Sequence, residues 1–235
     1  MAMQRYLFCG LIGVLIALAG GAALADGAGQ VVHLSGTLSA QRADGTIRIL
    51  SRGSEINPGD SLTTQADSYG QLGFSDGSTM TMRPNTSMKV EAYQYNKDKP
   101  DADNAFFRLL KGGLRTATGY IGKRGNQNAY KIGTRVATIG IRGSTGDTLD
   151  CTQGCEGVTS TSGKAERGLY HATYTGSYIM ENESGAEIIG EARFGFVSDA
   201  KTKPRLLPGD PGLNFDELPF SIMRMDTGGK CDVVR

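Results

Sequence analysis

The sequence predicts an all-β fold, a single compact β-sandwich or roll of solenoid-like build with an extended Pro-rich C-terminal tail. Three observations predict it. Apolar and polar residues alternate with period two from Gln30 onward. Glycine-containing turns punctuate those runs at a spacing of about 8–12 residues, which suits a sandwich, barrel or roll better than βαβ units. The composition, with 34 glycines and no tryptophan, fits many turns and few long helices. Alternation of this kind sets one face of each strand on a core and the other in water.

The first 25 residues read as an export signal. Arg5 supplies a positive flank, YLFCGLIGVLIALAGG follows as an apolar run, and Ala23-Leu24-Ala25 gives the small-x-small pattern of a cleavage site. A spanning helix needs about 20 consecutive apolar residues, and this run is shorter and broken by glycine. Cleavage is therefore expected between Ala25 and Asp26, with no stable membrane span afterwards and a periplasmic or secreted location. Cys9 is a poor lipoprotein cysteine, because Phe8 precedes it and the apolar run continues past it. The remaining 210 residues suffice for one domain, expected over 26–199 with its motif core at 30–150, followed by a Pro-rich strap at 200–235. Lys plus Arg total 25 and Asp plus Glu 24, so loss of Arg5 balances the charges. No global field then draws the protein to nucleic acid or anionic lipid.

The strands follow in order. TIRIL alternates Ile47 and Ile49 with Thr46 and Arg48; GQLGF puts Leu72 and Phe74 on one face; TMTM sets Met80 and Met82 against Thr79 and Thr81. SMKVEAYQY sets Met88, Val90 and Ala92 against Lys89, Glu91 and Tyr93. The turns ADGT (43–46), NPGD (57–60), SDGS (75–78) and ESGA (183–186) each carry a residue that tolerates positive φ. NKDKPDADN (96–104) is a charged loop that lacks the central glycine and closing glutamate of a calcium loop. AFFRLLKGGLRTATGYIGK reads as two strands joined or kinked at Gly112-Gly113, with Leu114 and Ala117 turned inward, because adjacent glycines make a poor helix interior. Strands resume at LYHATY, SYIME and AEIIG. The tail KPRLLPGDPGLNFDELPF holds four prolines and reads as an extended strap, with a helical turn near 216–225.

RVATIGIRGSTG (135–146) tests whether the chain holds a phosphate. Its glycines, Gly140, Gly143 and Gly146, are spaced G-x-x-G-x-x-G, without the lysine of a Walker loop, and no helix follows to lend its N-terminus. The glycines are instead expected to allow close approach where strands turn a corner, with Arg142 laying its stem on the wall and bonding carbonyls or a carboxylate. Three segments, FSDGSTMTMRPNTSMKVEAY, then FFRLLKGGLRTATGYIGK, then YKIGTRVATIGIRGS, resemble the FecR-type domain in order and spacing. The resemblance covers Gln30 to the Cys151–Cys155 loop and continues loosely to about Val197. It implies a β-rich periplasmic module of a family first associated with surface signalling for iron uptake. Within the motifs Gly112, Gly113, Arg115, Gly140, Arg142 and Gly143 are structural residues. Departures are Thr134-Arg135, where Thr-Pro is common, and Ser144, where Thr is common. The signalling members carry a cytoplasmic segment and a membrane helix before the domain, whereas here an export signal precedes it. The resemblance therefore implies the module and its location rather than the regulatory role.

No catalytic, cofactor or metal site is read from the sequence. In CTQGC, Cys151 and Cys155 are expected to close a disulfide loop, with Cys231 either free or competing for one of them. Zinc would need four ligands, and His33 and His171 stand at no ligand spacing. The same two histidines have no Ser or Cys motif beside them and are expected at a rim or edge. Asp44, Asp60 and Asp76 are read as turn caps. Three functions follow in order of preference: a module that presents loops to an unknown envelope protein partner, a cell-wall or surface glycan- or ligand-binding module using Tyr93, Tyr95, Tyr120 and Tyr130 as a stacking platform, and a hydrolase.

Overall fold

The computed structural model describes residues 27–126, 128–155 and 165–213. The expected export signal with its Ala25–Asp26 cleavage point, Cys231 and the helical turn near 216–225 lie outside the described residues. Within them the chain is all-β, with 15 strands in one branched sheet and a 3-10 turn at Pro100–Ala102. The strands are β1 (Gly29–Ser35), β2 (Leu38–Gln41), β3 (Ile47–Leu50), β4 (Glu55–Ile56), β5 (Ser61–Thr64), β6 (Tyr69–Phe74), β7 (Thr79–Met82) and β8 (Ser87–Gln94). They continue as β9 (Asn104–Ala117), β10 (Tyr130–Gly133), β11 (Thr138–Asp150), β12 (Leu169–Asn182), β13 (Gly185–Gly190), β14 (Arg193–Val197) and β15 (Arg205–Leu206).

Three long strands organise the fold by changing partners halfway along. The first half of β9 pairs with β8 and, in parallel, with β10; its second half pairs with β7 and β11. The first half of β11 pairs with β10 and its second half with β9, while β12 runs beside it throughout. On its other side β12 meets β14 with its first half and β13 with its second. At or beside each changeover stands a glycine at positive φ: Gly112 at 85°, Gly143 at 66° and Gly176 at 73°. A side chain is costly in that conformation, and the extra twist lets one strand leave one sheet layer and enter another. The segment read as two strands at Gly112-Gly113 is thus one strand with a partner switch.

The inner faces of these layers enclose one large core, in which Leu38, Leu62, Leu72, Met80, Met82, Met88, Val90, Phe107, Leu114, Ile139 and Ile141 are fully buried. Each such side chain stabilises the fold by about 1.5–3 kcal/mol relative to exposure. A smaller cluster of Leu149, Cys151, Tyr170, Ala172, Phe196 and Leu213 forms where the Pro-rich tail lies down, and β15 adds to the edge of β14.

Four side-chain directions differ from the alternation read in the sequence. In β3, Ile47 and Ile49 face water at 66% and 70% exposure, while Arg48 turns inward to bond Asp60 at 2.5 Å. Arg48 shares this face with buried Leu50, so the inward face of the edge strand carries one ion pair and one apolar anchor. In β8 the register shifts between Val90 and Ala92, which turns Tyr93 and Tyr95 toward the core where a strict alternation would have placed Ala92. In β9 the inward residue beyond Leu114 is Thr116, not Ala117, since period two runs 114, 116. His171, expected at a rim, is fully buried in β12.

Candidate functional site

The densest polar constellation lies where β7, β9, β11 and β12 meet. Arg115 and Asp147 are direct cross-strand partners in the β9–β11 register. Asp147, fully buried, accepts hydrogen bonds from Arg115 Nε at 2.7 Å, Arg115 Nη2 at 3.0 Å and Arg83 Nη2 at 2.6 Å. The Tyr174 hydroxyl adds a fourth at 3.2 Å, and the Arg115 guanidinium lies 4.9 Å from the centre of the Tyr174 ring. Burial alone would lower the Arg115 pKa, but the hydrogen bonds and charge of Asp147 outweigh it and drive the value up. A buried charge is tolerated only when paired and hydrogen-bonded, and this carboxylate holds two guanidinium groups in that way.

The glycine pair of β9 makes room for the cluster. A Cβ on Gly113 would sit 2.9 Å from Arg83 Cδ, and the Gly113 carbonyl accepts from Arg83 N–H at 3.0 Å. A Cβ on Gly112 would sit 2.6 Å from Thr86 Cα. The three motif residues read as structural in this segment, Gly112, Gly113 and Arg115, therefore meet at one place. Chemically the constellation is a clamp across four strands, with one donor on Asp147 Oδ1 and three on Oδ2.

The second motif behaves differently. Gly140, Gly143 and Gly146 lie inside β11, where no helix N-terminus faces them. A Cβ on Gly140 would meet Ile179 Cγ2 at 2.8 Å, and one on Gly146 would meet the Ala172 carbonyl at 2.5 Å, so close packing against β12 explains both. Arg142, expected to bond carbonyls or a carboxylate, is instead exposed, and its side chain makes no hydrogen bond or ion pair among the described residues. Arg115 takes the role that was assigned to it. Asp147 carried no motif signal of its own; the cross-strand position opposite Arg115 is what would have found it.

The turn aspartates cap as expected. Asp44 accepts from Thr46 N–H at 2.8 Å, Asp60 from Asn57 N–H at 2.9 Å and Asp76 from Ser78 N–H at 3.0 Å. The four tyrosines do not form one platform. Tyr130 is buried, and the Tyr93 hydroxyl donates to Asp76 at 2.9 Å with its pKa pushed up by burial. Of the four, Tyr95 and Tyr120 stack on each other, with ring centres 6.3 Å apart, Tyr95 partly buried against the core and Tyr120 60% exposed. Arg124 stacks on both rings and is held by the Asn96 and Lys97 carbonyls and by Asp103.

His171 lies 4.1 Å, ring centre to ring centre, from Tyr178, and its Nδ1 shares a hydrogen bond with Thr148 Oγ1 at 3.1 Å. Burial pushes its pKa down to about 3. Such a ring stays neutral in the fold at a pH where the unfolded chain takes up a proton. Stability should therefore fall as pH drops below the ordinary value of 6.5, by about 1.4 kcal/mol per pH unit, and stay level above it. Urea midpoints measured from pH 7.5 to 4.5 should fall on acidification, and less steeply in His171→Gln. Equal slopes in the two proteins would remove His171 as the cause. His33 is half-buried in β1 opposite Gln71, on a different strand from His171.

Cys151 and Cys155 are disulfide-bonded, closing the CTQGC turn after β11. Among the described residues, no group of three or more His, Cys, Asp or Glu side chains is placed to hold a metal ion, and no helix is long and apolar enough to cross a membrane. Comparison with known proteins gives one family match: residues 60–164 match the family model described as FecR protein. Two crystal structures of a protein assigned as an anti-sigma factor from Parabacteroides distasonis share 10% and 11% identity with this chain, each with a TM-score of 0.46. The alignments cover 64% of this chain and 60% of those chains, less than two thirds of their length. No curated protein matches the chain.

Proposed function

From the match of residues 60–164 to the FecR family model, we propose that the chain is a non-enzymatic interaction module of the cell envelope, acting in signalling after export to the periplasm or beyond. The observation that carries this reading is the edge strand β3. Sheet edges are normally blunted by lysine, proline or a bulge, to stop stray pairing. Among the described residues this one pairs only with β2, and it presents Ile47 and Ile49 to solvent. Meanwhile the charged motif residues Arg115 and Asp147 are bonded to each other and unavailable to a substrate. An open apolar edge beside a locked polar interior suits a protein that adds its strand to a partner.

The test is capture from native envelope with the exported protein. Wild type should retain a specific protein that the Ile47→Lys, Ile49→Lys double variant loses while keeping its thermal midpoint. Recovery of nothing above background by wild type contradicts the reading. A second reading rests on the stacked Tyr95–Tyr120 pair, whose exposed ring can pack on a sugar face. Co-sedimentation with purified peptidoglycan, lost in Tyr120→Ala, would favour it; protein left wholly in the supernatant would count against it.

A further inference from the structure

Separate from that edge, a cavity of about 150 Å³ opens between the Gly112 corner of β9 and the disulfide turn that follows β11. Its charged and polar lining comprises Lys111, Arg135, Asn85 and Asp150, with the Cys151–Cys155 turn as one wall. We propose that this cavity binds a small anion through a carboxylate or phosphate group.

The charges decide the sign. Two cations face one carboxylate, whose Oδ1 is hydrogen-bonded within the turn and whose Oδ2 makes no hydrogen bond. Asp150 is buried, and its Oδ1 accepts from Thr152 N–H at 3.0 Å and from Thr152 Oγ1 at 2.6 Å. Its Oδ2 lies 3.7 Å from Arg135 Nη2. Arg135 also donates to Thr152 Oγ1 at 2.6 Å, so the aspartate and threonine together hold the guanidinium at the cavity wall. The fork stays accessible, with the Arg135 side chain 44% exposed.

Donors without an internal acceptor complete the site. Among the described residues, the Lys111 ammonium and the Asn85 amide make no hydrogen bond or ion pair. The backbone N–H groups of Gln153 and Cys155, in the disulfide turn, are not hydrogen-bonded either, while Gly154 N–H is used on the Cys151 carbonyl. Unspent N–H groups in a closed turn beside a guanidinium and an ammonium are a common solution for oxyanions. The volume sets the size. It holds about five water molecules, enough for phosphate or a short carboxylate and too small for a nucleotide.

Calorimetric titration at low salt, using inorganic phosphate and citrate as separate probes on the intact disulfide-bonded protein, tests the assignment. At least one probe should bind saturably, and Lys111→Ala or Arg135→Ala should each weaken it about tenfold, with the unfolding midpoint of the free Lys111→Ala protein unchanged. Binding of phosphate alone assigns a phosphate group, binding of citrate alone a carboxylate, and binding of both the shared oxyanion chemistry. Reducing the Cys151–Cys155 bond should weaken binding by loosening the wall. No saturable heat with either probe, or unaltered binding when Lys111→Ala and Arg135→Ala are combined, overturns the proposal.

Discussion

Asp147→Ala is expected to cost about 3–5 kcal/mol, because removing one partner of a buried ionic group leaves the others uncompensated. Here the loss strands two guanidinium groups: Arg83, with a side chain 6% exposed, and Arg115, at 14%. In a domain of this size that corresponds to a fall in melting temperature of about 6–20 °C. Asp147→Asn keeps the shape but not the charge and should also destabilise, by less. The order wild type, Asn, Ala in a urea titration is the expected result. An Ala variant as stable as wild type would mean that water reaches the arginines and that the cluster is not the clamp described above.

Gly112→Ala carries the second large effect, about 2–5 kcal/mol, from two sources. Positive φ penalises any Cβ by about 1–2 kcal/mol, and Gly112 stands at 85°. The new methyl would also lie 2.6 Å from the Thr86 Cα, a backbone atom that cannot swing aside. Overpacking of that kind adds about 1–3 kcal/mol. Gly77 provides the control, since it has nearly the same φ, 81°, with nothing within 4 Å of an added Cβ. Gly77→Ala should show the conformational cost alone. Equal losses at the two positions would show that close approach between β9 and the start of β8 is unimportant.

The sequence shows the strand class clearly, because inward Leu72, Phe74, Met80 and Met82 keep a period of two and the turn between the two pairs carries the Asp76-Gly77 signal. It shows less of what breaks the period. The bulge between Val90 and Ala92 is a register event between two strands, and only the pairing of β8 with β9 reveals that Tyr93 and Tyr95 turn inward. Ile47 and Ile49 mislead for a related reason. Their alternation is real, but the inward face is the one with Leu50 and with Arg48, whose partner Asp60 lies in a separate turn.

The polar cluster was half legible. Gly112, Gly113 and Arg115 stand together in one quoted motif, whereas Asp147 and Arg83 lie 32 residues beyond and before Arg115 and meet it only through strand register. Arg142 carried the stronger local signal, a cation between two glycines, yet β11 points it to solvent. Alternation determines which arginine enters the interior. In β11 the inward residues near the corner are Ile141 and Ser144, and Arg142 falls between them.

The central claim is that the motif arginine and the strand β11 aspartate act as one structural unit that ties the sheet layers together. A double-mutant cycle on Arg115→Met and Asp147→Asn, read by urea unfolding at pH 7, tests it most directly. The account predicts that the double variant is at least about 2 kcal/mol more stable than the sum of the single losses allows. Losses that simply add would contradict it, leaving Arg115 and Asp147 as neighbours without a shared function in the fold.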